Sequence, residues 1–184
     1  MEAGSDAQLM EWVQKGDRQA FAAIVDRYKE RLVAYLTRLC GNGAQAEDLA
    51  QETFLKLYLK AANYDERQKL GGYLYKMATH LAFDHHRRNA RRRLLSHFMP
   101  AKVSVTLEGN PQRAAELSET QQRIKSAIDA LSMKFRIPLV LHDMEGMTQA
   151  EIAKITGQKI GTIKSRLSRA RASLRSELAD LVEA

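Results

Sequence analysis

The chain has 184 residues, a formal net charge of +7 and a pI near 9.6, and this length suits one average domain or two small ones. Its 45% hydrophobic content argues against wholesale disorder, and its single cysteine, Cys40, excludes an intramolecular disulfide and a Cys-rich zinc site. It shows neither a signal-peptide pattern nor an apolar run of about 20 residues, so we expect a cytoplasmic protein without membrane insertion.

Helical periodicity dominates the first half of the chain. A short helix is expected after Ser5, and a longer one follows the N-cap Asp17 and ends at residues 41–43. A third helix covers about residues 44–62, and a fourth follows a polar loop and covers about residues 72–93. The side chains expected in their core are Leu9, Trp12, Val13, Phe21, Ile24, Val25, Tyr28, Leu32, Tyr35, Leu36, Leu39, Leu49, Ala50, Phe54, Leu57, Tyr58, Ala61, Leu74, Met77, Ala78, Leu81 and Ala82.

The periodicity fades between residues 96 and 118, where Pro100 and the Gly-Asn-Pro run at 109–111 indicate a linker. Helical patterning resumes after it and continues to the end of the sequence. The sequence therefore predicts an all-α protein of two small helical domains, residues 1–95 and 119–184, joined by a flexible linker at 96–118.

The most specific local motif spans residues 147–171. Thr148 and Glu151 predict a capping box at the start of one helix, and Gly157 suits the positive φ at its end. The following helix is expected to bury Ile160, Ile163, Leu167, Ala170, Leu174 and Leu178. Its other face offers hydroxyl and basic side chains that suit a major-groove reader, although a solvated basic face is the simpler alternative. The candidate DNA-binding residues are Lys159, Thr162, Lys164, Ser165, Arg166, Arg169 and Arg171.

Aromatic and basic side chains alternate on the fourth helix and the loop before it. Rings can stack on unpaired bases while Arg and Lys hold phosphates, so this pattern favours partly opened nucleic acid. The alternative is a core aromatic pair beside a solvated charge run. The candidates are Tyr64, Tyr73, Lys76, His80, Asp84, Arg87 and Arg88. His80, Asp84, His85 and His86 lack a complete ligand set, so no metal site is expected.

The third helix carries carboxylates around a leucine on a face rotated away from its core stripe. This arrangement is typical of a protein-binding patch with an apolar anchor, and an ordinary solvated face is the alternative. The residues are Asp48, Gln51, Glu52, Leu55 and Lys56. The sequence shows no nucleophile or phosphate-cradling loop beside these acids, so we do not expect an enzyme.

Three segments resemble the extracytoplasmic-function sigma factors of the sigma-70 family. The heptapeptide DLAQETF at 48–54 is similar to the family's polymerase-binding signature, and residues 73–88 are similar to its melting and minus-ten segment. Residues 145–153 and 161–171 are similar to its minus-thirty-five reader. The resemblance covers nearly the whole chain outside the linker.

The resemblance implies a sigma factor that recruits core RNA polymerase to promoters, without catalytic activity or a cofactor of its own. The polymerase surface would be Asp48, Leu49, Gln51, Glu52, Leu55 and Lys56 on the β′ clamp helices, with the β flap as a further polymerase contact. Tyr64 would capture a flipped base, and the fourth helix would open the minus-ten element. The basic helix from Lys159 would read the minus-thirty-five element. An anti-sigma factor is an expected partner.

The chain departs from the family pattern at three places. His80 stands where asparagine is frequent, Tyr73 where tryptophan is usual, and Ser132-Met133 replaces a proline after Leu131. Two other functions stay open from the residues alone. One is a conventional helix-turn-helix regulator with an N-terminal sensing or dimerisation domain, and the other is an adaptor that mimics a sigma domain without binding promoters.

Overall fold

A computed structural model describes residues 4–65, 67–96 and 119–182, and every regular element in these ranges is helical. The N-terminal unit contains four α-helices: α1 (Asp6–Gln14), α2 (Arg18–Cys40), α3 (Gly43–Leu59) and α4 (Leu70–Ser96). A 3-10 turn, Ala61–Asn63, follows α3. The predicted all-α fold is confirmed.

The C-terminal unit consists of α5 (Glu119–Ala130), α6 (Met133–Leu139), α7 (Gln149–Thr156), α8 (Ile160–Glu177) and the short α9 (Ala179–Val182). A π-helical turn, Val140–Met144, lies between α6 and α7. Pro138 has no N–H to donate to the preceding turn, and the backbone continues with Glu145 N bonded to Val140 O, five residues back. The predicted linker lies outside the described residues, apart from Ser96 at the end of α4.

Local capping explains where α2 begins and ends. The Asp17 carboxylate accepts hydrogen bonds from Gln19 N at 2.7 Å and Ala20 N at 3.1 Å, as an N-cap should. Gly41 closes the helix with φ of 72°, a conformation that glycine adopts without strain. Asn42 then caps α3 by accepting from Gln45 N at 3.1 Å. The predicted boundary between the two helices is therefore confirmed.

The beginning of α4 differs from the expectation, because the sequence pattern placed Gly71 and Gly72 at the edge of a loop. The helix instead starts at Leu70 and includes both glycines. A Cβ on Gly71 would lie 3.4 Å from the Tyr28 ring, an ordinary van der Waals contact, so the start of α4 packs directly on α2. The helix predicted at residues 44–62 is, by contrast, shorter than expected, because α3 ends at Leu59 before the 3-10 turn.

The N-terminal core contains a buried polar cluster that the apolar pattern does not reveal. Tyr35 and Thr79 hydroxyls lie 2.7 Å apart, and Thr79 also donates to Tyr75 O at 2.6 Å. The Tyr35 and Tyr75 rings meet edge to face with centroids 5.0 Å apart. Burial raises the pKa of the Tyr35 hydroxyl well above its ordinary value, so it stays a neutral donor and acceptor.

Three side chains expected in the core are instead exposed: Trp12, Ile160, and Tyr58 on α3, which is 40% exposed. Trp12 on α1 is 43% exposed, while its neighbours Met10 and Val13 fill the core. Ile160 is 53% exposed because, as the first residue of α8, it precedes the turn on which Ile163 and Leu167 are buried. Of the remaining expected core side chains, most are buried or partly buried against the core. Within the described ranges, no helix is both long and apolar enough to cross a bilayer.

The two units are in direct contact. α7 packs against α4, and α2 meets α5, α6 and the π turn of the C-terminal unit. The contact includes two largely buried polar side chains of the C-terminal unit, Arg136 and Glu145. The first helix of the helix-turn-helix therefore lies on the same helix that carries the predicted minus-ten residues.

Candidate nucleic-acid and protein interfaces

The C-terminal motif forms the predicted helix-turn-helix. Thr148 N donates to Glu151 Oε2 at 3.0 Å, and Glu151 N donates to Thr148 Oγ1 at 3.3 Å, which completes the capping box. The Glu151 carboxylate accepts hydrogen bonds from Thr148 N and from Thr148 Oγ1, and these bonds hold the pKa of Glu151 below its ordinary value. Gly157 ends α7 with φ of 66°, and α8 begins three residues later.

The exposed face of α8 is basic and hydroxyl-rich. Lys164, Ser165 and Arg169 are exposed, whereas Thr162 and Arg166 are half-buried at the edge of this face. Lys159 is exposed at the N-cap and makes no side-chain capping bond. The side chains most accessible to a major groove are therefore Lys164, Ser165 and Arg169.

Arg171 is engaged within its own unit. Its guanidinium donates to the Asp143 carboxylate at 2.5 and 3.1 Å, and the pKa of Asp143 is lowered as a result. This pair must open, or share the guanidinium, if Arg171 is to neutralise a phosphate. The prediction that Arg171 binds DNA remains untested.

Two exposed residues on the same face were missed by the sequence reasoning. Ile160, Lys164 and Ser168 recur every four residues, so they lie above one another on one side of α8, and all three are exposed. The four-residue spacing was a usable signal for Ser168. Ile160 was assigned to the core as the first residue of the apolar stripe that continues with Ile163 and Leu167.

The exposed side of α4 carries most of the residues predicted to contact the minus-ten element. Lys76, His80 and Asp84 recur at four-residue spacing and are exposed, as are Arg87 and Arg88 further along. Asp84 Oδ1 lies 3.3 Å from Arg87 Nη2 in an exposed pair that contributes little to stability. These side chains form a row along α4 toward its C-terminal end. Such a row suits a strand of nucleic acid that lies along the helix.

Tyr64 and Tyr73 differ from their predicted roles as accessible aromatic platforms. Tyr64 is only 7% exposed, its hydroxyl donates to Gln68 O at 2.5 Å, and its ring meets Tyr73 edge to face at 5.5 Å. A ring that stacks on an extruded base has to be exposed. In this arrangement Tyr64 is part of the core and anchors the loop before α4, so we remove it from the base-capturing set. Tyr73 is partly buried against the same core.

The predicted polymerase face of α3 is exposed with one exception. Asp48, Gln51 and Leu55 are exposed, and Glu52 and Lys56 form a pair at 2.9 Å. Leu49 is 4% exposed, because it lies about 100° around the helix from Asp48 and points into the core. It cannot contact a partner directly. Its inclusion in the binding set is therefore wrong.

A second apolar anchor extends this face. Leu59 is 71% exposed, and Asp48, Glu52, Leu55 and Leu59 share one side of α3 at spacings of four, three and four. A groove of about 710 Å³ between α2 and α3 lies alongside, lined by Val33 and Phe54 among others, and it includes Gln51. A partner surface that combines basic and apolar side chains would complement these exposed leucines and carboxylates.

The histidines of α4 do not gather with other metal-binding side chains. In the described part of the chain, no three His, Cys, Asp or Glu side chains lie close enough together to hold a metal ion. His85 instead contacts the amides of Gln45 and Asn89, the second at 2.6 Å. Burial and the nearby Arg88 and Arg92 lower the pKa of His85, which favours its neutral form.

The chain is similar to known proteins over most of its length. The chain matches the family models Sigma-70 region 2 over residues 24–92 and Sigma-70, region 4 over residues 121–174. It is 34% identical over 181 residues to the ECF RNA polymerase sigma factor SigW of Bacillus subtilis, covering 92% of this chain and 94% of that protein.

Two solved structures are similar over most of the chain. CnrH, in complex with the cytosolic domain of CnrY, gives a TM-score of 0.73 at 20% identity and covers 96% of this chain and 99% of that one, a likeness of fold alone. The sigma factor RpoE, in complex with the anti-sigma factor NepR from Bartonella quintana, gives a TM-score of 0.70 at 26% identity. The aligned region covers 86% of this chain and 96% of the RpoE chain.

Proposed function

The chain belongs to the sigma-70 family, in its extracytoplasmic-function group, and we propose that it brings core RNA polymerase to promoters through three separate surfaces. The face of α3 binds polymerase, the cations of α4 contact the minus-ten element, and the exposed face of α8 reads the minus-thirty-five element. The observation that carries this proposal is that Asp48, Lys76 and Arg169, one from each surface, are all exposed on helices whose opposite sides form the core.

The proposal assigns residues 1–95 to the first domain, 119–184 to the second and 96–118 to the connection. The region 2 match over residues 24–92 contradicts the alternative of a sensing or dimerisation domain in the N-terminal half. Because RpoE of Bartonella quintana was solved with an anti-sigma factor, we also propose an anti-sigma partner for this chain. The chain itself acts as an initiation factor in the cytoplasm, and the polymerase catalyses RNA synthesis.

Transcription in vitro tests the proposal directly. Purified chain and core polymerase are incubated with a pool of genomic promoter fragments, and the transcript ends are mapped. We expect discrete start sites that require the chain, each preceded by two shared sequence elements. Start sites that are identical with and without the chain would remove the proposed function.

Ile160 is expected to contact a thymine methyl group in the minus-thirty-five element. An apolar side chain at the start of a recognition helix can pack on the C5 methyl in the major groove. Replacing one contacted thymine by uracil removes only that methyl group. Wild-type binding should then weaken about fourfold, because burying one carbon contributes about 0.8 kcal/mol. The Ile160→Ala variant should be insensitive to the same change.

Ile124→Ala is the matched control, because Ile124 is also partly exposed, at 39%, and lies on α5 of the same unit. Binding is measured by fluorescence anisotropy with a set of fragments that each carry one uracil. The same uracil profile for wild type and Ile160→Ala would show that Ile160 does not contact a methyl group.

A further inference from the structure

Glu145 reaches from the C-terminal unit into a polar site on the N-terminal unit. Its side chain is only 7% exposed. Oε1 accepts a hydrogen bond from Arg38 Nη1 at 3.0 Å, and Oε2 accepts one from the Tyr75 hydroxyl at 2.5 Å. Both carboxylate oxygens are thus paired with groups of the other unit, as a carboxylate removed from water requires.

Arg136 makes a second polar contact between the units. It is 8% exposed, and its Nη1 donates to Leu39 O at 2.7 Å. Leu39 lies in the last turn of α2, where backbone carbonyls have no partner within the helix and the dipole favours a cation. Arg136 also donates to Leu131 O in its own unit at 3.0 Å, so one guanidinium links both units.

These contacts fix the orientation of the helix-turn-helix. Glu145 follows the π turn directly and is followed by Gly146, at φ of 70°, and by Thr148, which caps α7. Since only a few residues separate Glu145 from α7, holding its carboxylate holds the DNA-reading helices against α2 and α4. We call the contacts of Glu145 with Arg38 and Tyr75, and of Arg136 with Leu39 O, the latch.

The latched arrangement is too small to read both promoter elements. Sites 10 and 35 base pairs upstream of a start lie about 25 base pairs apart, or about 85 Å at about 3.4 Å per step. A compact chain of this length has a radius of gyration of about 16 Å and therefore a diameter of about 40 Å. The two units have to separate before each can occupy its element on one DNA molecule.

We propose that the surface around Arg38, Tyr75 and the end of α2 is a docking site for the chain's own C-terminal unit, and that the latch keeps the free protein closed. This inference rests on the proposed function for its consequence, but the contact itself does not depend on it. Opening exchanges the hydrogen bonds of the latch for hydrogen bonds to water, so each of these bonds contributes only a small net free energy to the closed state. If only the open form binds polymerase and promoter, the apparent affinity equals the affinity of the open form multiplied by the fraction of molecules that are open.

The only cysteine of the chain reports on the latch. Cys40 follows Leu39 and lines a cavity of about 640 Å³ between the units, together with Asp129 and Arg136. Burial raises the pKa of the Cys40 thiol to about 11, so little thiolate is present near pH 8. When the units separate, the thiol meets water and its reactivity increases.

The experiment measures the labelling rate of Cys40 and the radius of gyration of the full chain without polymerase or DNA. Tyr75→Phe removes one hydroxyl and keeps the ring against Tyr35, and Glu145→Ala removes the carboxylate. Each is expected to raise the labelling rate about three- to tenfold, the range of one net hydrogen bond, and to increase the radius of gyration. Asp143→Asn is the control, because Asp143 pairs with Arg171 inside the C-terminal unit, and it should leave both values unchanged.

Labelling rates that stay at the wild-type value in both latch variants would overturn the proposal, as would a wild-type radius of gyration already too large for a closed chain. Both measurements are independent of promoter activity. If the transcription test fails while the latch variants label faster, the proposed function is lost and the docking contact stands. If the chain directs transcription and the variants label like wild type, the contact is lost and the function stands.

Discussion

Reversing the charges of Asp48 and Glu52 is expected to lower the affinity for core polymerase by at least a hundredfold while leaving the fold intact. Both carboxylates lie on the exposed face of α3 beside Leu55 and Leu59. A partner that accepts two leucines and two acids presents an apolar surface with cations at its edge. Lysines at these positions would then meet like charges, and such juxtapositions cost several kcal/mol.

The fold should tolerate this change because neither carboxylate is buried. Glu52 pairs with Lys56 at 2.9 Å, but both side chains are about two-fifths exposed, and such a pair contributes at most about 1 kcal/mol. The affinity of the Asp48→Lys, Glu52→Lys double variant for core polymerase is measured without DNA, and its melting temperature is compared with that of wild type.

A double variant with the same change in net charge serves as the control. Glu11→Lys disrupts an equivalent four-residue pair with Lys15 on α1, at 2.5 Å, and Glu177→Lys alters an exposed position at the end of α8. This control should bind polymerase like wild type. Equal losses in both double variants would attribute the effect to net charge and would contradict a specific role for the face of α3.

The sequence predicted the helices and their caps because these depend on neighbours within a few residues. Asp17, Thr148 with Glu151, and Gly157 all act as expected, through backbone groups one turn away. The sequence was a less reliable guide to which side of a helix is exposed, because moving by one residue turns a side chain about 100° around the helix axis. Leu49 and Asp48 are adjacent in the sequence, yet one is in the core and the other on the surface. Leu59 was missed on the same helix.

The contact between the units could not be predicted from local patterns. Glu145 and Tyr75 are 70 residues apart, and nothing in the sequence near either one indicates the other. The motif at 145–153 predicted a helix-turn-helix but not the surface on which it rests. Tyr64 shows the same limit. Its position in a polar loop predicted an exposed ring, but its hydroxyl bonds to Gln68 O and its ring packs against Tyr73. Such features depend on packing between distant segments.

Arg169→Ala is expected to cost about 1–3 kcal/mol of binding to the minus-thirty-five element, which is about five- to 150-fold in affinity. Arg169 is exposed on α8, and it has no ion-pair partner within the described ranges, whereas Arg171 two residues later is paired with Asp143. Its guanidinium is therefore available for two parallel hydrogen bonds to a guanine in the major groove.

A base scan distinguishes this reading from a phosphate contact. Each base pair of the element is replaced in turn, and affinities of wild type and Arg169→Ala are compared at several salt concentrations. A base contact relaxes discrimination at one position and leaves the others unchanged, whereas a phosphate contact weakens all sequences equally and lowers the salt slope by about one. Arg18→Ala removes an exposed arginine at the start of α2 and controls for net charge. A uniform loss in Arg169→Ala would show that this arginine positions the helix and that base reading falls to Ser165 and its neighbours on α8.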